Sequence, residues 1–168
     1  YKRQAVVSAP TKSQGEVHFL FRSSSTAGTV FSNQATVTMT ENDDNTSKLG
    51  YSLSMSTDEN FVVAGAPYTN SAGSDGSTRF NNAGLIKIYV WNPSRFAYGI
   101  LSTLTPPSDL ADQNFGWSHK ICEPGVASVR TTATKYMFGG APGFKDGGQA
   151  DEGRVYMYLS LIHISEPT

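Results

Sequence analysis

The feature that most constrains this chain is a glycine-led alternating segment that occurs three times, at a spacing of 69 residues. The three glycines are Gly15, Gly84 and Gly153. The second, fourth and sixth positions after each glycine are all apolar: Val17, Phe19, Phe21; Ile86, Ile88, Val90; Val155, Met157, Leu159. A period of two predicts three β-strands, each with this face in a core. Repetition at a fixed spacing predicts a repeat architecture.

Two further marks recur along the chain, one of them three times and the other twice. Short apolar runs end at Ala9-Pro10, Ala66-Pro67 and Ala141-Pro142, which predicts strands buried on both faces that stop where proline cannot donate to a ladder. The segments Leu49-Gly50-Tyr51-Ser52 and Phe115-Gly116-Trp117-Ser118 each follow a polar, turn-rich stretch and open another strand.

Together these marks predict an all-β fold built from four-stranded antiparallel units. The units lie at about 1–40, 49–105 and 115–158, with weaker outer strands at 29–40 and 98–105. The first unit lacks its opening strand and the third breaks off after residue 158, so the chain holds about two and a half units. Such units at this spacing are typical of propeller blades, which predicts a partial β-propeller.

These marks resemble the FG-GAP repeat, which builds the β-propeller of integrin α-chains and of many bacterial, viral and other surface proteins. Phe115-Gly116, Gly65-Ala66-Pro67 and Gly140-Ala141-Pro142 match the pattern, whereas Leu49 stands in place of Phe and Ser8 in place of Gly. The resemblance covers residues 3–158. It implies an extracellular, cell-surface or virion-associated protein.

The last ten residues, 159–168, read LSLIHISEPT and are similar to the translation of a common sequencing-library adapter. We expect this tail to be non-native, as in a reading frame assembled from short reads and cut at both ends. The alternative is a genuine outer strand. The expectation implies further blades outside the chain, and we expect no signal peptide because Tyr1 already precedes a strand-like segment.

Charge and motifs exclude several classes of function. The chain has 13 basic and 14 acidic residues without a basic run, so we predict no nucleic-acid partner. No apolar run approaches the roughly 20 residues of a membrane span, so we predict no membrane insertion. We find no zinc spacing, no nucleophile motif and no phosphate-binding loop. We therefore predict a protein that is not an enzyme.

Calcium is the cofactor that the resemblance brings into question. Calcium-binding members of the family carry alternating Asp/Asn residues and a Gly in the turn between the first two strands, because the ion needs several hard oxygen ligands. The corresponding turns, 56–60 and 123–134, lack that spacing. The chain is closer to the non-calcium variety, so we predict no cofactor.

A long loop is the main candidate for binding. It spans 68–83, whereas hairpin loops usually have 2–5 residues. We expect it on the same face as the connections between units, 41–48 and 106–114, and the resemblance implies that this face holds the ligand. The residues of contact type on this face are Tyr68, Asn70, Asp75, Arg79, Phe80, Phe144 and Lys145. An unselected surface loop is the alternative interpretation. We expect Trp91 and Trp117 to pack between units, with an exposed stacking platform as the alternative.

These observations predict a non-catalytic recognition or adhesion module that binds a protein or glycan through loops on one propeller face. One alternative is a structural spacer or decoration domain of a large surface or phage particle protein. The other is an accessory propeller of an enzyme whose catalytic domain lies outside the chain.

Overall fold

The chain folds into β-strands throughout the part that the structure describes. The structure is a computed structural model, and it describes residues 4–12, 14–22, 31–38, 47–72, 77–122, 135–145 and 152–159. These residues contain twelve strands and no helix, which confirms the predicted all-β class. A helix capable of crossing a membrane is accordingly not found among them.

The strands form three main antiparallel sheets and one short hairpin. The bounds are β1 Gln4–Ala9, β2 Glu16–Phe21, β3 Ser32–Thr38, β4 Ser52–Met55, β5 Phe61–Ala66, β6 Ser71–Ala72, β7 Arg79–Phe80, β8 Leu85–Asn92, β9 Ala97–Leu104, β10 Ser118–Cys122, β11 Tyr136–Ala141 and β12 Arg154–Leu159. Sheet 1 has the order β1-β2-β3, sheet 2 has β4-β5-β8-β9 and sheet 3 has β10-β11-β12, while β6 pairs with β7. The predicted succession of strands within each unit is confirmed.

Sheet 2 lies between the other two sheets, and its two faces are buried in separate apolar cores. Alternate residues of β5 and β8 point to opposite cores, and every residue of β5 is buried. The core shared with sheet 1 contains Val17, Phe19, Leu49, Val62, Ala64, Ala66, Leu85 and Tyr89. The core shared with sheet 3 includes Val63, Ile86, Ile88, Phe115, Ile121, Met137, Tyr156 and Tyr158.

The prediction of the buried face was wrong for β12. Val155 is 68% exposed and Met157 is 38% exposed, whereas Tyr156 and Tyr158 are buried against sheet 2. The glycine-led apolar positions face the next sheet along the chain, and no described residue covers that face of sheet 3. Neither β1 nor β11 is buried on both faces as predicted, since Val7 in sheet 1 and Phe138 in sheet 3 are exposed.

A repeated backbone contact joins each sheet to the next, and we call it the clasp. In the first clasp, the N–H of Leu49 donates to the carbonyl of Gln14 at 2.9 Å, and the N–H of Gly50 donates to the carbonyl of Gly65 at 2.9 Å. Each clasp therefore ties a segment to the preceding sheet through one hydrogen bond and to its own sheet through the other.

The second clasp has the same two bonds. The N–H of Phe115 donates to the carbonyl of Ala83 at 2.9 Å, and that of Gly116 donates to the carbonyl of Gly140 at 3.0 Å. The side chains of Leu49 and Phe115 are fully buried between the sheets that they join.

Glycine is required where the clasp crosses the preceding sheet. Gly15 has φ +95° and a Cβ there would overlap the backbone of Leu49; Gly84 has φ +84° and a Cβ there would overlap the backbone of Phe115. Both the positive φ and the close approach exclude other residues. The glycines that lead the repeat are thus explained by contact between sheets, and not only by a turn.

We expect Phe115→Ala to weaken the junction of sheets 2 and 3 strongly. The side chain fills the core between them, so its removal should lower the free energy of unfolding by about 3–5 kcal/mol. Urea denaturation provides the measurement. Phe96→Ala, at a largely exposed ring, is the matched control and should change it by about 0.5 kcal/mol or less. Equal effects of the two variants would contradict the described packing.

Candidate recognition surface

The candidate site lies at the end of sheets 2 and 3 where the long loop and the connection between units meet. The N–H groups of Asp112 and Asn114 donate to the carbonyls of Asn81 and Asn82 at 2.7 and 2.9 Å. The Asn82 side-chain amide also donates to a carboxylate oxygen of Asp112 at 2.9 Å. The expected proximity of the loop to the connection 106–114 is confirmed, and most of the other connection, 41–48, lies outside the described residues.

Three aromatic rings converge at this end of the sheets, and we call them the aromatic cluster: Tyr51, Tyr68 and Trp117. The ring centroids of Tyr51 and Trp117 are 4.8 Å apart, and Tyr68 is 6.0 Å from each of them. Tyr51 is 38% and Trp117 39% exposed, so both rings pack together and still meet solvent. The Lys48 ammonium lies 4.2 Å above the Tyr68 ring, within the range of a cation–π contact.

The clasps place these rings. Tyr51 and Trp117 each follow a clasp glycine of positive φ, Gly50 at +85° and Gly116 at +90°. Each is also the residue immediately before a strand, β4 or β10. The rings therefore come from neighbouring sheets but leave the backbone at equivalent points, which sets them side by side.

A partly buried histidine holds the strands beneath the cluster. His119 Nε2 lies 3.0 Å from the carbonyl of Val63, and its Nδ1 lies 2.7 Å from the hydroxyl of Ser52. A carbonyl can only accept, so Nε2 carries the proton. The Ser52 hydroxyl is also 2.7 Å from the carbonyl of Gly116. These contacts link β4, β5 and β10 directly under Tyr51 and Trp117.

The Ser52–His119 pair has the separation of a nucleophile and its base, but its surroundings are those of a structural contact. Burial lowers the pKa of His119 to about 4, and the hydrogen bond to Val63 offsets only part of that effect. Such an imidazole is a weak base near neutral pH. Its second nitrogen bonds a backbone carbonyl rather than a carboxylate. We therefore assign the pair to the junction of sheets 2 and 3.

The loop residues predicted for binding divide into supporting and exposed groups. Asn70 supports the loop, because its carbonyl accepts from Arg79 Nη1 at 3.0 Å and its side-chain oxygen accepts from the Asn82 N–H at 3.1 Å. Arg79 is exposed and Phe80 is half-buried in the β6–β7 hairpin. Tyr68 belongs to the aromatic cluster, and among the loop residues that were predicted and that the structure describes it is the one that meets the rings.

The other predicted contact residues do not join the cluster. Phe144 is buried between sheets 2 and 3, with the guanidinium carbon of Arg154 3.6 Å above its ring, so it serves packing. Lys145 is exposed next to it. Asp75 lies outside the described residues, as does the turn 123–134.

Sequence reasoning missed Tyr51, Trp117 and Lys48 as members of a site. The available signal was an aromatic residue directly after the glycine in both Leu49-Gly50-Tyr51-Ser52 and Phe115-Gly116-Trp117-Ser118. Trp117 was expected to pack between units rather than to form an exposed stacking platform; it does contact Tyr51 of the neighbouring unit, and it is also 39% exposed. Trp91 fits the packing prediction, since it stacks on Phe21 of sheet 1 at 6.2 Å.

The turn considered for calcium, 56–60, holds an ion pair. Asp58 accepts from Lys135 Nζ at 2.8 Å, from the Ser56 hydroxyl at 2.5 Å, and from Asn60 through both its backbone and side-chain nitrogens. Partial burial by itself would raise the pKa of Asp58, but these hydrogen bonds together lower it to about 2. In the described residues no three His, Cys, Asp or Glu side chains cluster to form a metal site.

At the opposite end of the sheets, a shallow apolar cleft lies between sheets 1 and 2. Its lining includes Phe19, Phe21, Trp91, Phe96 and Tyr98. Most of these rings pack on one another: Phe19 stacks on Tyr98 at 4.7 Å, and Trp91 meets Tyr98 at 5.3 Å. We therefore regard the cleft as the edge of the core, and the aromatic cluster as the stronger candidate site.

We expect acid to weaken the chain through His119. Its folded pKa, about 4, is below the 6.5 of an ordinary histidine, so the unfolded state binds more protons between these values. Stability should therefore fall as the pH drops from 6.5 to 4, by about 3 kcal/mol at roughly 1.4 kcal/mol per pKa unit. Urea denaturation across this range should give a flatter profile for His119→Gln. A wild-type slope in His119→Gln would refute the assignment.

We expect Asp58 to make the stability of the chain depend on pH in a more acidic range than His119 does. Its folded pKa of about 2 is below the ordinary 3.8, so its contribution is present above pH 4 and is lost as the pH falls towards 2. Because the carboxylate is partly exposed, Asp58→Asn should cost about 1 kcal/mol or less at pH 6 and nothing near pH 2. A double-mutant cycle with Lys135→Met, followed by urea denaturation, measures the coupling; strictly additive losses would show that the pair contributes nothing.

Comparison with known proteins does not assign this chain to a family. No protein-family model matches it, and no curated protein matches it. Its function therefore has to be argued from the residues and their arrangement.

Proposed function

We propose that this chain is part of an FG-GAP-like β-propeller that acts as a non-catalytic recognition module. The observation that carries the proposal is the aromatic cluster at the end where the long loop meets the connection between units. The repeat marks lie in register on three antiparallel sheets, and each sheet is joined to the next by packing or a clasp. These features support the propeller arrangement. The resemblance places such modules on cell surfaces, in secreted proteins or on virions.

The chemistry of the cluster favours a glycan as its ligand. Aromatic faces carry partial negative charge and attract the C–H groups that cover one face of a sugar ring. Tyr51 and Trp117 are partly exposed and offer such surfaces. Rings fixed by backbone contacts lose little conformational entropy on binding. These properties support glycan recognition.

A protein ligand is the second outcome, because Tyr and Trp are also enriched at the centres of protein interfaces. A structural spacer would need no ligand at this end, and an accessory propeller would serve a catalytic domain outside the chain. The glycan proposal differs from all of these in requiring that the rings themselves contact a saccharide.

An oligosaccharide array tests the proposal. The 168-residue chain is applied to immobilised hexose and N-acetylhexosamine oligosaccharides, and the strongest hit is titrated by tryptophan fluorescence in a Trp91→Phe background, which leaves Trp117 as the reporter. We expect Tyr51→Ala and Tyr68→Ala each to raise Kd about tenfold or more, the range of central interface residues. Trp117→Ala should do the same when binding is followed by calorimetry.

The controls distinguish an effect of the aromatic cluster on Kd from an effect of the loop and from a loss of stability. Phe96→Ala removes an exposed ring at the opposite end and should leave Kd unchanged. Arg79→Ala removes the exposed cation of the hairpin and should change Kd by less than the ring substitutions. Each variant must melt cooperatively by circular dichroism. Absence of any saccharide binding, or binding that survives all three ring substitutions, would refute the proposal.

A further inference from the structure

Lys48 places a positive charge against the aromatic cluster. Its ammonium lies 4.2 Å from the centroid of the Tyr68 ring, and that ring lies 6.0 Å from Tyr51 and from Trp117. Lys48 is half-buried. In the part of the chain that the structure describes, no carboxylate forms an ion pair with it. A charge that rests on a ring face retains its capacity to bind an anion, because the ring carries no net charge.

The backbone of Lys48 has a conformation that lysine rarely adopts. Its φ is +54°, in the left-handed region, which is strained for residues other than Gly, Asn and Asp. Asn114 holds the equivalent place in the second clasp, with φ +55°. The carbonyls of Lys48 and Asn114 accept from the N–H groups of Tyr51 and Trp117 at 3.0 and 3.1 Å, so the backbone contacts are the same. Asparagine suits this conformation and lysine does not, which indicates that the lysine side chain has a role besides the turn.

We propose that the aromatic cluster selects acidic saccharides of the hexuronic acid class, with the carboxylate bound by the ammonium of Lys48. This inference rests on the proposed glycan function and names the class of glycan. A β-linked hexuronic acid has a C–H face, like a neutral hexose, and bears its carboxylate at the edge of the sugar ring. When the face lies on Tyr51 and Trp117, the edge that points towards Tyr68 meets the ammonium. The resulting charge-assisted hydrogen bond is about twice as strong as one to a neutral hydroxyl.

An acidic peptide is another class of ligand that carries carboxylates, and the rings favour the sugar over it. Asp and Glu side chains are narrow and have no flat C–H face, so they would engage the ammonium and leave the rings of Tyr51 and Trp117 uncovered. A hexuronic acid engages both. Asp43 and Asp44 precede Lys48 in the sequence but lie outside the described residues, and their substitution reports whether they occupy the ammonium.

A matched pair of sugars tests the inference. Cellotetraose and the β-1,4-linked tetramer of glucuronic acid differ only at C6, which is a hydroxymethyl group in the first and a carboxylate in the second. Isothermal titration calorimetry gives the Kd of the 168-residue chain for each sugar. We expect the acidic tetramer to bind about tenfold or more tightly than cellotetraose. Tetraglutamate should bind more weakly than the acidic tetramer, because it has no face for the rings.

Two substitutions of Lys48 separate its charge from its place in the turn. Lys48→Met keeps an unbranched chain over Tyr68 and should raise the Kd of the acidic tetramer about tenfold, to that of cellotetraose, while the Kd of cellotetraose changes by about twofold or less. Lys48→Asn, which introduces the residue type of the second clasp, should have the same effect on Kd without lowering Tm, because asparagine is the better residue at positive φ. Loss of acidic selectivity at undiminished Tm is not expected of a residue that serves only the turn.

Two control variants address the other charges. Lys120→Met removes an exposed lysine of β10 outside the aromatic cluster and should change neither Kd, although it alters the net charge as Lys48→Met does. The double variant Asp43→Asn and Asp44→Asn should keep the preference for the acidic tetramer. A preference that appears only in this double variant would show that the two acids occupy Lys48, and the inference would fail.

The remaining outcomes distinguish this inference from the proposed function. Equal Kd values for the two tetramers, or a preference for the acidic one that survives both Lys48 substitutions, would overturn the inference and leave glycan recognition standing. Tighter binding of tetraglutamate than of the acidic tetramer would overturn it in favour of a peptide ligand. Absence of any saccharide binding would overturn both proposals.

Discussion

The structure depends on the close approach of two backbones at the clasp. Apolar packing alone does not fix how two sheets are oriented, because burial of apolar area is non-directional. The clasp fixes the orientation of one sheet on the next, since the N–H of Phe115 reaches the carbonyl of Ala83 only when Gly84 has no Cβ. That contact places Phe115 in the core, sets the spacing of sheets 2 and 3, and starts β10 at a defined point.

The candidate site is a consequence of the same contact. Tyr51 and Trp117 occupy equivalent places after successive clasps, so their separation is fixed by the spacing of the sheets rather than by the loop between them. Ser52 and His119 strengthen the arrangement below the rings. His119 Nε2 donates to the carbonyl of Val63, and the single proton of the Ser52 hydroxyl serves two acceptors, His119 Nδ1 and the carbonyl of Gly116, each 2.7 Å away. Recognition by loops usually requires a rigid scaffold. Here the rings belong to the scaffold, and the 68–83 loop contributes Tyr68 to them.

The sequence predicted where the long loop lies but not which of its side chains are already engaged. The loop was found because 68–83 is long for a hairpin, and its neighbour 106–114 followed from the strand order. The residues chosen by type included Phe144, which is buried, and Asn70, whose polar atoms are used within the loop. Residue type does not report whether a side chain is already engaged. Tyr51 and Trp117 were missed because their proximity depends on two sheets, whose packing no local pattern encodes.

The sequence by itself determined the all-β class, the succession of strands and the repeat, because alternation, proline stops and glycine positions act within a few residues. It did not determine which faces are covered. The same period of two buries Ile86 and Ile88 but leaves Val155 and Met157 exposed, since burial depends on whether another sheet lies above the strand. Only the tertiary structure showed that Gly15 and Gly84 are kept small by the segment that crosses each of them. Local patterns specify strands, whereas contacts between sheets depend on residues far apart in the chain.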